Sequence, residues 1–140
     1  MSGPLSLYPP ILAQIALTIA ILLWTGRARI AALRAGRVSI PEVALSGDPW
    51  PDDVRQIANN FRNQFETPVL FYVLCILATE IGATGLPLVL LAWAFVAARV
   101  LHTAIHVTTN DVRHRFFAFL LGTAVLIVMW LVVAVRLLGS

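Results

Sequence analysis

The stretch N-N-F-R-N-Q-F-E-T-P-V-L-F-Y-V-L, residues 59–74, brings an acid, a base and several amides to the edge of an apolar run that continues almost to residue 90. A helix needs about 20 mostly apolar residues to cross the hydrocarbon layer of a bilayer. Arg62, Asn63 and Glu66 therefore stand at the rim of a segment long enough to enter a membrane. An acid at such a boundary is costly unless it faces a cavity or the interior of a helix bundle. The stretch thus predicts a membrane helix with a polar face at one end.

The composition indicates that lipid is the solvent of the fold. Of the 140 residues, 59% are hydrophobic and 12% are charged, and the mean hydropathy is +0.86. Ordinary globular domains carry about 25% charged residues, so this chain has too few polar side chains to cover a surface that faces water. The length fits one domain. We therefore expect an integral membrane protein with a single domain over residues 1–140.

Four apolar segments are long enough to form membrane-spanning helices, since each has close to the ~20 residues that a bilayer requires. Continuous runs of this length favour helices, because only helices and closed barrels satisfy every backbone group in lipid. Pro68 interrupts the second segment, so a kink is expected near Thr67. The fold class is therefore all-α. The predicted helices cover residues 5–26, 52–83, 86–107 and 116–138.

The arginines predict the orientation in the membrane. All ten basic residues are arginine, and positive residues favour the cytoplasmic side. Loops 27–66 and 108–115 are therefore expected in the cytoplasm, with both termini outside. The pI near 10 does not point to nucleic acid, because no basic stripe with interleaved aromatic residues is present. The arginines that carry this prediction are Arg27, Arg29, Arg34, Arg37, Arg55, Arg62, Arg113 and Arg115.

The second predicted helix carries one polar face, which has two interpretations. Arg55, Asn59, Arg62 and Glu66 fall within about 60° at the 100° spacing of a helix, with Asn63 just beside them. In the simpler interpretation, Arg62 and Glu66 form an i, i+4 ion pair that marks where the helix leaves the lipid. In the other, this face lines a ligand site.

The third predicted helix carries a second polar face, formed by Arg99, His102 and His106. Arg99 lies roughly 12 Å from the cytoplasmic end by helical rise, and a charge at that depth requires a partner. Glu66 is the obvious counter-ion, and Arg115 can stand over the same opening. The two faces together predict one charged cavity at the cytoplasmic side of the membrane.

Two other chemistries fit these residues less well. His102 and His106 have the i, i+4 spacing of zinc-binding helices, but no H-E-x-x-H motif is present and Arg99 would repel a cation, so no metal is expected. Cys75 is the only cysteine, which excludes an internal disulfide, and its apolar surroundings favour packing over nucleophilic chemistry.

The side chains of the predicted cavity suit a small zwitterionic peptide. Arginines recognise carboxylates through paired hydrogen bonds. Asn63 and Glu66 add an amide and an acceptor for an ammonium or peptide group. The adjoining bilayer would deliver an apolar second substrate.

At these residues the chain resembles the MAPEG family, the membrane-associated proteins in eicosanoid and glutathione metabolism. The resemblance lies in R-N-Q-F-E-T-P-V-L-F at 62–71, A-R-V-L-H-T at 98–103 and Arg115, and the four-segment pattern extends it over nearly the whole chain. It implies a four-helix bundle that assembles as a homotrimer and holds glutathione between subunits. The chain is most similar to the short bacterial branch, which implies the bacterial inner membrane and an activity like that of microsomal glutathione transferases.

The resemblance also implies residue roles. Arg115 would stabilise the glutathione thiolate, and Arg99 would neutralise a buried carboxylate. His106 stands where some members have a tyrosine, Asn59 where many have an arginine and Phe116 where some have a serine. The alternative is a non-catalytic scaffold or accessory subunit that keeps the fold. The resemblance assigns glutathione binding to Arg29, Arg62, Asn63, Glu66 and His102, and the polar face of the third predicted helix adds Arg99 and His106 as candidate binding residues.

Overall fold

The computed structural model describes residues 6–46 and 49–139, and within these ranges the chain forms helices and no strands. The all-α prediction is therefore confirmed for the part of the chain that the structure describes. In chain order the helices are α1 (Tyr8–Arg34), α2 (Ile40–Val43), α3 (Asp52–Asn63), α4 (Thr67–Glu80), α5 (Leu86–Val107) and α6 (Val112–Leu138).

Three of these helices, α1, α5 and α6, are long and apolar enough to cross a membrane. Their outer surfaces carry large apolar side chains that no other part of the chain covers, such as Leu23 at 62% exposed and Phe117 at 70% exposed. Burial of such side chains against lipid removes the same apolar area from water as burial in a core. The surface is therefore that of an integral membrane protein, as the composition predicted.

The structure divides the second predicted helix into α3 and α4. The helix stops at Asn63, residues 64–66 form a turn, and a new helix begins at Thr67 with Pro68 in its first turn. Proline lacks the N–H that would continue the ladder, and it disfavours helical geometry in the preceding residue. The predicted kink is thus a complete break. At about 1.5 Å per residue, α4 spans only about 21 Å, which is less than the ~30 Å hydrocarbon layer of a bilayer.

The first predicted helix is longer than its apolar segment. Arginine is a good helix former, so Arg27 and Arg29 end the apolar run without ending α1, which continues to Arg34. Gly36 follows the end of the helix and has a φ of 66°, the left-handed conformation that glycine adopts freely. This turn lets Arg37 N donate to Ala32 O, which closes the C-terminus of α1. The extra turns of α1 pack on α3 through a small cluster of Ala32, Val38 and Val54.

The main core joins α4, α5 and α6, and α5 and α6 form the most extensive helix pair. Phe71 of α4 stacks on Phe95 of α5 with ring centroids 4.5 Å apart. Met129 of α6 and Cys75 are fully buried in the same cluster. Cys75 is thus a packing residue, as the sequence indicated.

A polar network crosses the interior between α1, α3 and α5. Gln64 lies at its centre: its Oε1 accepts from Gln14 Nε2 at 3.1 Å, and its Nε2 donates to Asn60 Oδ1 at 3.2 Å and Thr103 Oγ1 at 3.1 Å. Asn60 Nδ2 also lies 3.2 Å from His106 Nδ1. We call Gln14, Asn60, Gln64, Thr103 and His106 the polar network. It ties the turn after α3 to two membrane-spanning helices.

Replacing Gln64 by leucine is expected to lower the free energy of unfolding by about 2–3 kcal/mol, because hydrogen bonds in membrane bundles contribute about 0.6–1.7 kcal/mol each and orphaned buried groups add a further cost. Unfolding in detergent titrated with sodium dodecyl sulfate measures the change. Asn59→Leu is the matched control, since Asn59 is an exposed amide on the preceding helix, α3. Equal stability of Gln64→Leu and Asn59→Leu would contradict a stabilising role for the network.

Candidate functional site

The predicted site residues lie around two polar cavities rather than one. The large cavity has a volume of about 620 Å³ and lies over α3, the end of α1 and the loop before α6. It contains two of the predicted residues, Arg29 and Arg62. Its lining comprises Arg29, Trp50, Asp52, Arg55, Gln56, Ala58, Asn59, Arg62 and Asn110.

The small cavity has a volume of about 220 Å³ and lies where the break between α3 and α4 meets the start of α6. It contains four predicted residues and an apolar wall. Its lining comprises Asn63, Glu66, His102, Val112, Arg115, Phe116 and Phe119.

The break in the second predicted helix explains why the single predicted cavity is wrong for one chain. Arg62 and Glu66 share a face only on a continuous helix, but α3 ends at Asn63 and Glu66 lies in the turn that follows. Arg62 therefore lines the large cavity and Glu66 the small one. No Arg62–Glu66 ion pair is present among the described residues, where the ion pairs join Arg37 to Asp53, Arg55 to Asp52 and His114 to Asp111.

Arg99 is 1% exposed and lies behind the small cavity rather than in its lining. Its Nη2 donates to Asn63 O at 3.2 Å and to Asn63 Oδ1 at 2.9 Å. Asn63 Nδ2 in turn donates to Glu66 Oε2 at 2.8 Å. The predicted counter-ion, Glu66, is thus linked to Arg99 through an amide rather than by direct contact.

The backbone contact of Arg99 also stabilises the end of α3. Asn63 is the last residue of that helix, and carbonyls at a helix C-terminus lack intrahelical donors and carry partial negative charge. A guanidinium at this point satisfies one carbonyl and interacts favourably with the helix dipole. Arg99 therefore has a structural reason to be buried.

The two histidines of α5 differ in their surroundings. Their rings meet edge to face with centroids 5.5 Å apart. His106 is 7% exposed, contacts Asn60 in the polar network and lines neither cavity. His102 is 3% exposed and lines the small cavity, and its Nδ1 has no hydrogen-bond partner within the described ranges. A buried ring nitrogen without a partner is unusual, and a bound water or ligand would satisfy it.

Arg115 reaches the small cavity from the first turns of α6. That helix begins at Val112, earlier than the predicted residue 116, because Asp111 caps it by accepting from Arg113 N and His114 N, each at 3.0 Å. The hydrogen bond from His114 N is the main reason why the pKa of the Asp111 carboxyl lies below its usual range. Arg115 Nη1 donates to Asn110 Oδ1.

The large cavity combines cations with one aromatic wall. The guanidinium of Arg29 lies over the Trp50 ring at 5.4 Å from the centroid, and Arg55 pairs with Asp52. Arg62 is exposed toward the same space. An arginine-rich opening of this kind suits carboxylates.

An apolar cleft of about 340 Å³ lies between α4 and α6. The residues of the cleft follow Glu66 along α4 and Phe116 along α6. Its lining comprises Leu70, Val73, Leu74, Leu77, Leu126, Ile127 and Trp130.

Several site-forming residues were missing from the sequence prediction. Asn60 and Gln64 follow Gln56 at intervals of four, which is a helical polar row that the sequence displays. Gln14 is a lone amide in the apolar stretch of α1, and such residues in membrane helices usually face the interior. Asn110 had no sequence signal, because its role depends on the loop conformation.

Among residues 6–46 and 49–139, no group of three or more His, Cys, Asp or Glu side chains is close enough to hold a metal ion. The chemistry of the two cavities is that of guanidinium, amide, carboxylate and imidazole groups.

The model of the MAPEG family matches residues 9–135, which is nearly the whole chain. No curated protein and no solved structure matches significantly.

Proposed function

The chain belongs to the MAPEG family, and on that premise we propose that it binds glutathione at the membrane as a transferase or peroxidase that acts on apolar electrophiles from the lipid phase. The observation that carries the proposal is the small cavity. It brings together Asn63, Glu66, Arg115 and His102, whose buried Nδ1 has no hydrogen-bond partner within the described ranges, beside an apolar wall.

Recognition of the tripeptide would be divided between the residues of the two cavities. Arg29 and Arg62, in the large cavity, would bind its carboxylates. Asn63 and Glu66 would bind its amide or ammonium groups, and His102 would bind a further polar group. Arg99 would hold Asn63 in place rather than touch the ligand, and His106 would act through the polar network. This assignment gives Arg99 and His106 indirect roles, although the sequence made both of them candidate binding residues.

Arg115 would supply the activation step. A cation beside a thiol favours the thiolate and lowers the thiol pKa, which raises the concentration of nucleophile near neutral pH. The thiolate sulfur would then donate its electron pair to the electrophilic atom, and the leaving group would depart with the electrons of the broken bond. The apolar cleft between α4 and α6 would give the electrophile a path from the lipid.

A homotrimer in the bacterial inner membrane would complete the site, with four spans per chain, loops 27–66 and 108–115 in the cytoplasm and both termini outside. Glu66 is exposed on a single chain, and the break beside it would lie within the bilayer, because α4 alone is too short to cross the hydrocarbon layer. An acid there is costly unless protein covers it. A neighbouring subunit is the proposed cover.

The alternative is a scaffold or accessory subunit without chemistry, which the polar network favours. Buried polar groups can fix the register of helices and the choice of oligomer without binding any ligand. In that case the contacts of Gln64 would account for the buried polarity, and the small cavity would hold water alone.

Isothermal titration of the purified protein with glutathione is expected to show binding at millimolar concentrations. Glu66→Gln is expected to weaken the affinity about tenfold, the effect of losing one charge-assisted hydrogen bond. Glu80→Gln is the matched control, because Glu80 is an exposed acid at the other end of the same helix, and it is expected to bind like the wild type. The absence of binding by the wild type at millimolar glutathione would end the proposal.

A further inference from the structure

Asn110 occupies an unusual backbone position in the loop between α5 and α6. Its φ is 51°, and it is the one residue other than glycine with positive φ in the part of the chain that the structure describes. Side chains rarely adopt this conformation, although asparagine tolerates it better than most. Such strain persists where the surroundings fix it, and it is concentrated at functional positions.

Both ends of this loop are fixed by hydrogen bonds. Asn110 N donates to Ile105 O at 2.8 Å, which closes the end of α5. The next residue, Asp111, caps α6. The left-handed backbone therefore determines where the Asn110 side chain can point.

The side chain of Asn110 connects the two polar cavities. Its Oδ1 accepts a hydrogen bond from Arg115 Nη1. Asn110 lines the large cavity, whereas Arg115 lines the small one. The pair thus fixes the guanidinium of Arg115 at the boundary between them.

An amide suits this position better than a carboxylate. Within the described ranges Arg115 has no ion pair, because the nearby Asp111 carboxylate contacts His114 and the backbone of α6. A neutral acceptor orients a guanidinium without cancelling its charge, whereas a carboxylate would compensate it. Arg115 therefore keeps its positive charge at the small cavity, which Glu66 and His102 also line.

We propose that Asn110 is a positioning residue that holds the guanidinium of Arg115 at the small cavity through a neutral hydrogen bond instead of an ion pair. It acts through Arg115 and does not touch the ligand. The effect on catalysis rests on the proposed function, whereas the effect on the position of Arg115 does not.

The position of Arg115 can be tested without glutathione. Phenylglyoxal modifies accessible arginines, and peptide mass spectrometry gives the rate at Arg115 relative to exposed Arg113. Asn110→Gly keeps the left-handed backbone at no steric cost and removes the amide, so it is expected to raise the rate at Arg115 several-fold. Asn110→Asp is expected not to raise the labelling rate at Arg115, since a carboxylate also accepts a hydrogen bond from the guanidinium. Thr109→Ala is the loop control and is expected to match the wild type.

Turnover of glutathione with 1-chloro-2,4-dinitrobenzene tests the catalytic consequence. Both Asn110 variants are expected to lower kcat about tenfold with a smaller change in KM, Asn110→Gly through a displaced charge and Asn110→Asp through a compensated one. A merely structural residue is not expected to give two variants that both lower kcat while only one of them raises the labelling rate at Arg115.

The outcomes separate this inference from the proposed function. An Arg115 labelling rate that is equal in Asn110→Gly and the wild type would overturn the inference, whether or not the protein binds glutathione. Altered labelling in a protein that binds no glutathione would support the position of Arg115 and overturn the proposed function. Altered labelling with unchanged kcat in both variants would overturn the catalytic role of Asn110.

Discussion

Replacing Arg115 by methionine is expected to lower kcat for the conjugation of glutathione to 1-chloro-2,4-dinitrobenzene by roughly 10²–10³-fold, the loss typical when one preorganised group is removed from developing charge. Arg115 is half-buried and is the one arginine in the lining of the small cavity. Methionine keeps the apolar stem and removes the cation. Affinity for glutathione is expected to fall much less than kcat, because other residues bind the rest of the tripeptide.

The pH dependence of the same variant gives an independent measurement. A cation within a few ångströms lowers a thiol pKa by roughly 1–3 units, so the acid limb of the kcat profile is expected to move to higher pH by a similar amount in Arg115→Met. Arg115→Lys should reverse part of this shift in the pH profile, since lysine restores the positive charge but not the planar guanidinium. Arg136→Met, at the far end of α6, is the matched control and is expected to behave like the wild type.

The Arg115 variants also separate the enzyme from the scaffold. If the chain is an enzyme, Arg115→Met should assemble normally and lose turnover. If it is a scaffold, no turnover exists to lose, and only changes in the polar network, such as Gln64→Leu, should alter assembly. If Arg115→Met turns over within about twofold of the wild-type rate, Arg115 does not stabilise the thiolate, and its assigned role is wrong.

The apolar segments were predictable because they depend on the solvent rather than on the fold. A chain in lipid must satisfy its backbone within each segment, so apolar length indicates helices directly. The third predicted helix, 86–107, coincides with α5. The bounds of α1 were not predictable from apolarity, because a helix can continue into water after its lipid-facing surface ends at Arg27.

The site was harder to predict, because helical arcs assume a continuous helix. The arc on α5 placed Arg99, His102 and His106 together, and the structure buries all three. The arc through Arg62 and Glu66 crossed the break at residues 64–66, so the two side chains face different cavities. Sequence spacing also could not show that the face of α3 turned inward is the one with Asn60 rather than the one with Asn59.

Replacing Arg99 by methionine is expected to destabilise the fold and to weaken glutathione binding together. The guanidinium donates to Asn63 O and Asn63 Oδ1. A buried acceptor left without a donor costs roughly 1–3 kcal/mol; Asn63 Oδ1 would lose its donor, whereas Asn63 O would keep a weaker one, Glu66 N at 3.4 Å. The free energy of unfolding, measured by titration with sodium dodecyl sulfate, should fall by about the cost of one or two such acceptors.

Arg99→Lys is the first control, since an ammonium keeps the charge but presents a compact point rather than a planar fork. It should recover part of the stability. The second control is Leu101→Met, a change on the exposed face of the same helix that should leave both stability and binding unaltered.

A double-mutant cycle tests the link from Arg99 to Glu66. If Asn63 connects the two charges, Arg99→Met and Glu66→Gln should be non-additive by about 0.5–3 kcal/mol, as coupled residues in one network are. Strict additivity would mean that Arg99 serves only as the cap of α3. Because the break at 64–66 places Glu66 at the small cavity and Arg99 stabilises the carbonyl at that break, loss of the cap should also displace Glu66. Stability and glutathione affinity should therefore fall together in Arg99→Met, whereas Arg115→Met should lose turnover alone.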